Sequence, residues 1–181
     1  MKHEIQFNKE DTILLRGVIA AQAKKDIRYY LNGVCFNDKH VVATDGHRLA
    51  LMPAPYNDLN DNYIIGGLKI KVATNHVIIT IDGNQATVEE YDRKGNKTAA
   101  IYQIIDGWYP DYMGVMVKEK PHADDCKGVP LGFNALLLAD MQKALKSKSC
   151  SIYPTNATDG FRVEFNGIDP DFVYVVMPCK L

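Results

Sequence analysis

The sequence predicts an α+β chain in which strands dominate and two amphipathic helices are set among them. Three observations carry this. Apolar residues recur at helical spacing in two separate stretches; elsewhere they alternate with period two; and Asp-Gly or Lys-Gly pairs punctuate the alternating runs. Residues 3–7 alternate and read as a short strand. Asn8 is a good helix cap, with Glu10 and Asp11 in the first turn, where the helix dipole favours acids. Ile13, Leu14, Val18 and Ala21 then share a stripe from which Arg16, Gln22, Lys24 and Lys25 are excluded, giving a helix over about 9–24 weakened by Gly17.

From Arg28 the period drops to two. Tyr29-Tyr30-Leu31 and Val34-Cys35-Phe36 read as strands flanking Asn32-Gly33. Val41–Thr44 runs into Asp45-Gly46, a tight-hairpin signal with both central residues at positive φ, and His47–Met52 is the return strand, stopped by Pro53 and Pro55. Further strands are expected at Tyr63–Ile65, Val77–Ile81, Ala86–Val88 and Thr98–Tyr102, turned by Asp82-Gly83 and Lys94-Gly95-Asn96; no helix-length periodicity falls in 62–105. Residues 117–130 are polar and contain Pro121, Gly128 and Pro130, as a linker would. The first pattern then returns. Asn134 caps a helix carrying Leu138, Met141 and Leu145 on one face, followed by strands at Cys150–Tyr153, Phe161–Phe165 and Phe172–Met177.

Composition bounds the function. The 181 residues carry 21 Lys and Arg against 22 Asp and Glu, a net charge of −1, which argues against disorder and against a strongly basic nucleic-acid binder. No run approaches the ~20 apolar residues of a membrane span, and Met1–Ile5 lacks the apolar core of a signal peptide, so a cytoplasmic protein with no membrane partner is expected. Cys35, Cys126, Cys150 and Cys179 are scattered without ligand spacing, which points to reduced thiols and to no metal or cofactor. The chain has no G-x-S-x-G, phosphate loop or H-E-x-x-H. A hydrolase built on Asp45, His47 and His40 would need an orienting partner that the sequence does not display, so no enzyme is expected.

Four local sequences go further than periodicity. Arg28-Tyr29-Tyr30-Leu31-Asn32-Gly33 precedes Ala43-Thr44-Asp45-Gly46-His47-Arg48-Leu49-Ala50; Ile105-Asp106-Gly107-Trp108-Tyr109-Pro110-Asp111-Tyr112 follows; and the chain closes with Tyr174-Val175-Val176-Met177-Pro178-Cys179-Lys180-Leu181. Together, and in this order, they resemble the bacterial DNA polymerase III beta subunit, the sliding clamp. The first two resemble the opening half of its middle domain, the third the end of that domain, the last its C-terminus. The resemblance implies a DNA-clamp-like fold of strand–helix–strands units with antiparallel sheets. It divides the chain into a middle-domain-like part (1–116), a linker (117–130) and a half-domain (131–181) resembling the second half of the last clamp domain. The middle domain's second helix is expected to be lost, since 66–76 is too short and too glycine-rich for it.

The resemblance also implies a working surface. In the family, replication and repair proteins insert a short linear motif into a groove between the middle and last domains. Its positions carry over to Leu31, Thr44, Gly46, His47, Arg48, Leu49, Pro110, Val115, Val175, Val176, Met177, Pro178 and Leu181. Clamps carry Met and Arg where this chain has Cys179 and Lys180. The implied partners are the clamp-binding motifs of DNA polymerases and repair proteins. Double-stranded DNA is a further partner, met without sequence preference through Arg16, Lys24, Lys25, Lys143, Lys146 and Lys148, although a solvated helix face explains the same residues. Two roles stay open: a clamp assembled as a small homo-oligomeric ring, and an open, decoy-like regulator competing with a host clamp. A structural scaffold without a live pocket is a third. The shortened form suggests a phage or prophage origin.

Overall fold

The fold follows from one cap and one alternating pattern, used twice. The computed structural model describes residues 2–57, 59–116, 132–154 and 159–179. Strand β1 (Lys2–Phe7) leads into helix α1 (Lys9–Ala20), then β2 (Gly33–Phe36), β3 (His40–Thr44), β4 (Arg48–Pro53), β5 (Tyr63–Gly66), β6 (Thr74–Asp82), β7 (Gln85–Asp92) and β8 (Lys97–Ile105). Helix α2 (Ala135–Leu145), β9 (Cys150–Tyr153), β10 (Phe161–Phe165) and β11 (Val173–Val176) complete it. All the strands pair antiparallel in one 11-stranded order, β1-β6-β7-β8-β5-β2-β3-β4-β11-β10-β9.

Asn8 opens α1 as expected. Its side chain accepts from Glu10 N–H (2.7 Å) and Asp11 N–H (3.0 Å), while the Asp11 carboxylate accepts from Asn8 N–H (3.2 Å). The helix is a turn shorter than the apolar stripe suggests. It ends at Ala20 because Ala23 N–H donates to Leu31 carbonyl (3.0 Å) and Gln22 Nε2 to Leu68 carbonyl (2.6 Å), which turns the chain away. Gly17 has a packing reason: a Cβ there would lie 2.6 Å from Leu145 Cδ2 and 2.8 Å from the Phe172 ring. Its absence lets α1 and α2 cross closely over one face of the sheet, where Leu15, Val18, Met141, Leu145 and Tyr174 close the core.

Two other local expectations are corrected. Tyr29–Asn32 is a single 3-10 turn and not a strand. The Asn32 amide accepts from Asp26 N–H (2.8 Å) and donates to Asp26 carbonyl (2.9 Å), and this closed loop outcompetes ladder pairing. The β3–β4 connection is the loop Asp45-Gly46-His47, in which Gly46 alone takes positive φ (85°), so it is not a two-residue hairpin.

The described part of 62–105 holds strands and no helix. Leu59 and Leu68, from the loops around β5, are buried in the core instead. Among the described residues, strand β8 is open along one edge. Ile104 N–H donates to Asn84 carbonyl (2.9 Å), so even-numbered positions of β8 bond toward β7. The main-chain groups of Lys97, Ala99 and Ile101 point the other way, and β5 pairs only with Ile104 and Ile105. The expected linker 117–130 lies outside the described residues, and β4–β11 pairing joins the parts on either side of it. No helix among the described residues is long and apolar enough to cross a membrane.

Candidate functional site

The β4–β11 seam sets Val175 beside Leu49 and Val173 beside Leu51, on the face opposite the helices. Alternation places Tyr174 and Val176 on the helix side, in the main core. This corrects one expectation: Val176 is fully buried there and does not line the groove.

Above the seam, the β3–β4 loop is built by short polar bonds. Asp45 Oδ1 accepts from His47 N–H (3.0 Å) and Arg48 N–H (3.1 Å); Thr44 Oγ1 donates to Arg48 carbonyl (2.6 Å) and accepts from Gly46 N–H (3.1 Å). Gly46 leaves room for Arg28, whose Nη2 would lie 2.9 Å from a Cβ at that position. Arg28 is held by Asp26 at 2.7 Å, and hydrogen bonds from Arg28 bring the Asp26 carboxyl down to about 2.

The third wall is the strap Asp106–Met116, laid across the outer face of β2–β4. Two tyrosines fasten it. Tyr109 Oη accepts from Thr44 N–H (3.0 Å), and the Tyr112 hydroxyl meets Asn37 Nδ2 and His40 Nδ1, both at 3.0 Å. Burial pushes the Tyr109 phenol well above its usual range, so it stays neutral and keeps its acceptor role.

Loop, seam and strap enclose a cavity of about 200 Å³ lined by Leu31, Thr44, Gly46, Arg48, Leu49, Pro110, Val115, Val175 and Met177. These nine expected residues converge from four separate segments of the chain. Arg28, Tyr30, Asp111 and Tyr112 also line it and were missed, although all four lie in the quoted motifs Arg28–Gly33 and Ile105–Tyr112 that hold Leu31 and Pro110. His47 is exposed beside the cavity, and its carbonyl accepts from Met177 N–H (2.8 Å). Pro178 is half-buried just past the lining, and Leu181 lies outside the described residues. Arg48 sits at the boundary with the helix side. Burial disfavours its charge, but Tyr174 and Asp45 outweigh this and hold it charged.

The helix side carries the expected basic residues with one correction. Lys24, Lys25, Lys143, Lys146 and Lys148 are exposed. Arg16 is only 6% exposed, and its guanidinium donates to the carbonyls of Val72, Thr74 and Ala144 at 3.2–3.4 Å. It ties α1 to α2 and to the start of β6, so it leaves the DNA-facing set. Lys24 and Lys143 line a cleft of about 710 Å³ with Arg16, Arg48, Lys69 and Asp140. Burial, then Arg16 and Arg93, lower the Lys146 ammonium below its ordinary value. No group of three or more potential metal ligands occurs among the described residues.

No family model matches the chain. It is 23% identical to the beta sliding clamp of Salmonella typhimurium over an alignment 246 residues long, gaps included, that covers 98% of this chain and 66% of that protein. It is 34% identical to the beta sliding clamp of Buchnera aphidicola over 113 residues, 55% of this chain and 30% of that protein. Among solved structures, the DNA polymerase sliding clamp of Caulobacter crescentus superposes with a TM-score of 0.72 at 22% identity, over 99% of this chain and 66% of that one. The clamp of Pseudomonas aeruginosa does so at 0.69 and 19%, over 98% and 67%. The chain thus spans just under two thirds of the first of these relatives. Its fold is that of a sliding clamp in shortened form.

Proposed function

We propose that this clamp-like chain is a non-catalytic replication protein whose pocket docks short linear peptide motifs of polymerases and repair proteins. The observation that carries the reading is that nine of the residues expected from the resemblance line one small apolar cavity. Leu31, Leu49, Val175 and Met177 make a floor for one or two large apolar side chains, each contributing roughly 1.5–3 kcal/mol on burial. Arg28 and Asp111 stand at the rim, where a peptide's charged or main-chain groups would be oriented. After ordering costs, a short peptide is expected to bind in about the micromolar range.

The division into a middle-domain-like part, a linker at 117–130 and a C-terminal half-domain belongs to the same reading. So does weak, salt-sensitive contact of the exposed lysines on α1 and α2 with DNA. The test is a fluorescence-anisotropy titration of a labelled clamp-binding peptide against the chain. Saturable binding that Met177→Glu abolishes, with the circular dichroism spectrum retained, supports docking. A folded protein that shows no binding near millimolar concentration defeats it. Light scattering then separates a closed ring from an open competitor of a host clamp.

A further inference from the structure

Beneath the strap, Asn37 fixes the polarity of a small buried cluster. Its Oδ1 accepts from the main-chain N–H groups of Lys39 (3.0 Å) and His40 (2.9 Å), so the other end of the amide is the donor that reaches the Tyr112 hydroxyl at 3.0 Å. The same hydroxyl lies 3.0 Å from His40 Nδ1, and the two rings meet edge to face with centroids 5.9 Å apart. With Asn37 donating to the phenol oxygen, the phenol's own hydrogen is free to donate to Nδ1 in the tautomer that carries its proton on Nε2, and Nδ1 accepts it only when unprotonated. Tyr112 is also a wall of the cavity, between Pro110 and Val115.

We infer that His40 is a positioning residue for the pocket, holding the strap in place through Tyr112 when neutral and releasing it when protonated, so that peptide docking weakens in acid. This rests on the peptide-docking reading and adds a regulation to it. Protonation sets an Nδ1–H against the phenol O–H. The phenol must then turn its hydrogen away and lose its acceptor, or the ring must move and take the pocket wall with it. Tyr109 on Thr44 N–H is the strap's other tie and carries no titrating partner in this range.

The groups around His40 set the direction. Burial is the largest influence and lowers its pKa, Lys39 on the same turn adds to this, and Asp38 opposes it. From the strap, Asp111 adjoins Tyr112; from β2, Cys35 faces the cluster with its thiol pushed up to about 12 by burial, hence neutral. The folded state therefore prefers the neutral imidazole. Its contribution is complete above the ordinary histidine value of about 6.5 and is lost as pH falls through the lower folded value.

The strap carries its own reporter. Trp108 is the single tryptophan of the chain and is 90% exposed. Peptide anisotropy and Trp108 emission would be followed on the full chain from about pH 8 to pH 5. The expected result is a loss of affinity of roughly fivefold, the scale of one hydrogen bond, and a Trp108 change with the same midpoint below 6.5. His40→Gln, which keeps an acceptor but cannot titrate, should flatten both curves. His76→Gln, which removes an imidazole on β6 away from the pocket and the strap, should leave both unchanged. A His40→Gln protein that keeps the wild-type pH profile overturns the inference, as does a flat wild-type profile. Should His40→Gln not fold, Tyr112→Phe removes the same bond and must flatten the curves. If no peptide binds at any pH, the docking reading fails, and the Trp108 profile alone decides the role of His40.

Discussion

Arg48 Nη1 lies 3.5 Å from Asp140 Oδ2, so a residue that lines the pocket on one side of the sheet is paired with helix α2 on the other. The same guanidinium holds Asp45 through Nε at 2.9 Å, and Tyr174 beside it donates its hydroxyl to Leu137 carbonyl at 2.9 Å. The pocket wall and α2 are therefore fastened to one another through a single buried cation. Arg48→Ala should cost about 2–4 kcal/mol, because Asp45 loses its partner in a mostly buried site. Asp140→Asn should cost less than about 1 kcal/mol, since Asp140 is 59% exposed and the pair is screened. Urea denaturation of both variants checks the asymmetry.

Gly17→Ala offers a sign test of packing against propensity. Alanine gains about 1 kcal/mol in a helix interior, but here its methyl would meet Leu145 and Phe172 well inside contact distance. The expectation is a net loss of about 1–3 kcal/mol, read from the urea midpoint. A stabilised variant would show that α2 can move aside.

Gly46→Ala acts at the pocket mouth. A side chain at φ 85° costs roughly 1–2 kcal/mol, and the new Cβ would displace the Arg28 guanidinium. A lower melting temperature together with weaker peptide binding is expected. Loss of stability with unchanged binding would remove Arg28 from the recognition surface.

Tyr109→Phe leaves Thr44 N–H without its acceptor in a half-buried position. About 1–2 kcal/mol should be lost, and the Thr44 amide should exchange faster with solvent. Hydrogen exchange followed by NMR measures both.

Much of this was legible in the chain itself. Asn8 and Asn134 announced both helices, and period-two alternation with Gly83 and Gly95 announced the β6–β7–β8 meander. What failed, failed for want of distant partners. Arg16 reads as a surface cation until Val72, Thr74 and Ala144 supply the carbonyls that let it be buried. Tyr29–Leu31 reads as strand until the Asp26–Asn32 loop closes. Val176 is different, because adjacent strand residues face opposite ways and Val175 and Val176 could not both have pointed into one groove. Arg28, Tyr30, Asp111 and Tyr112 were overlooked because polar and aromatic neighbours of an apolar floor carry no periodic signal.

Strand β8 gives the molecule an unevenly sealed edge. Thr98, Ala100 and Tyr102 have their amides locked against β7, while those of Lys97, Ala99 and Ile101 look outward, away from the ladder. Between Lys97 and Tyr102 deuterium should enter at every second residue, fast at Lys97, Ala99 and Ile101 and slowly at the residues between them. A zipper pattern of this kind would date the strand's closure: any molecule that later laid a backbone along it would slow the odd positions alone.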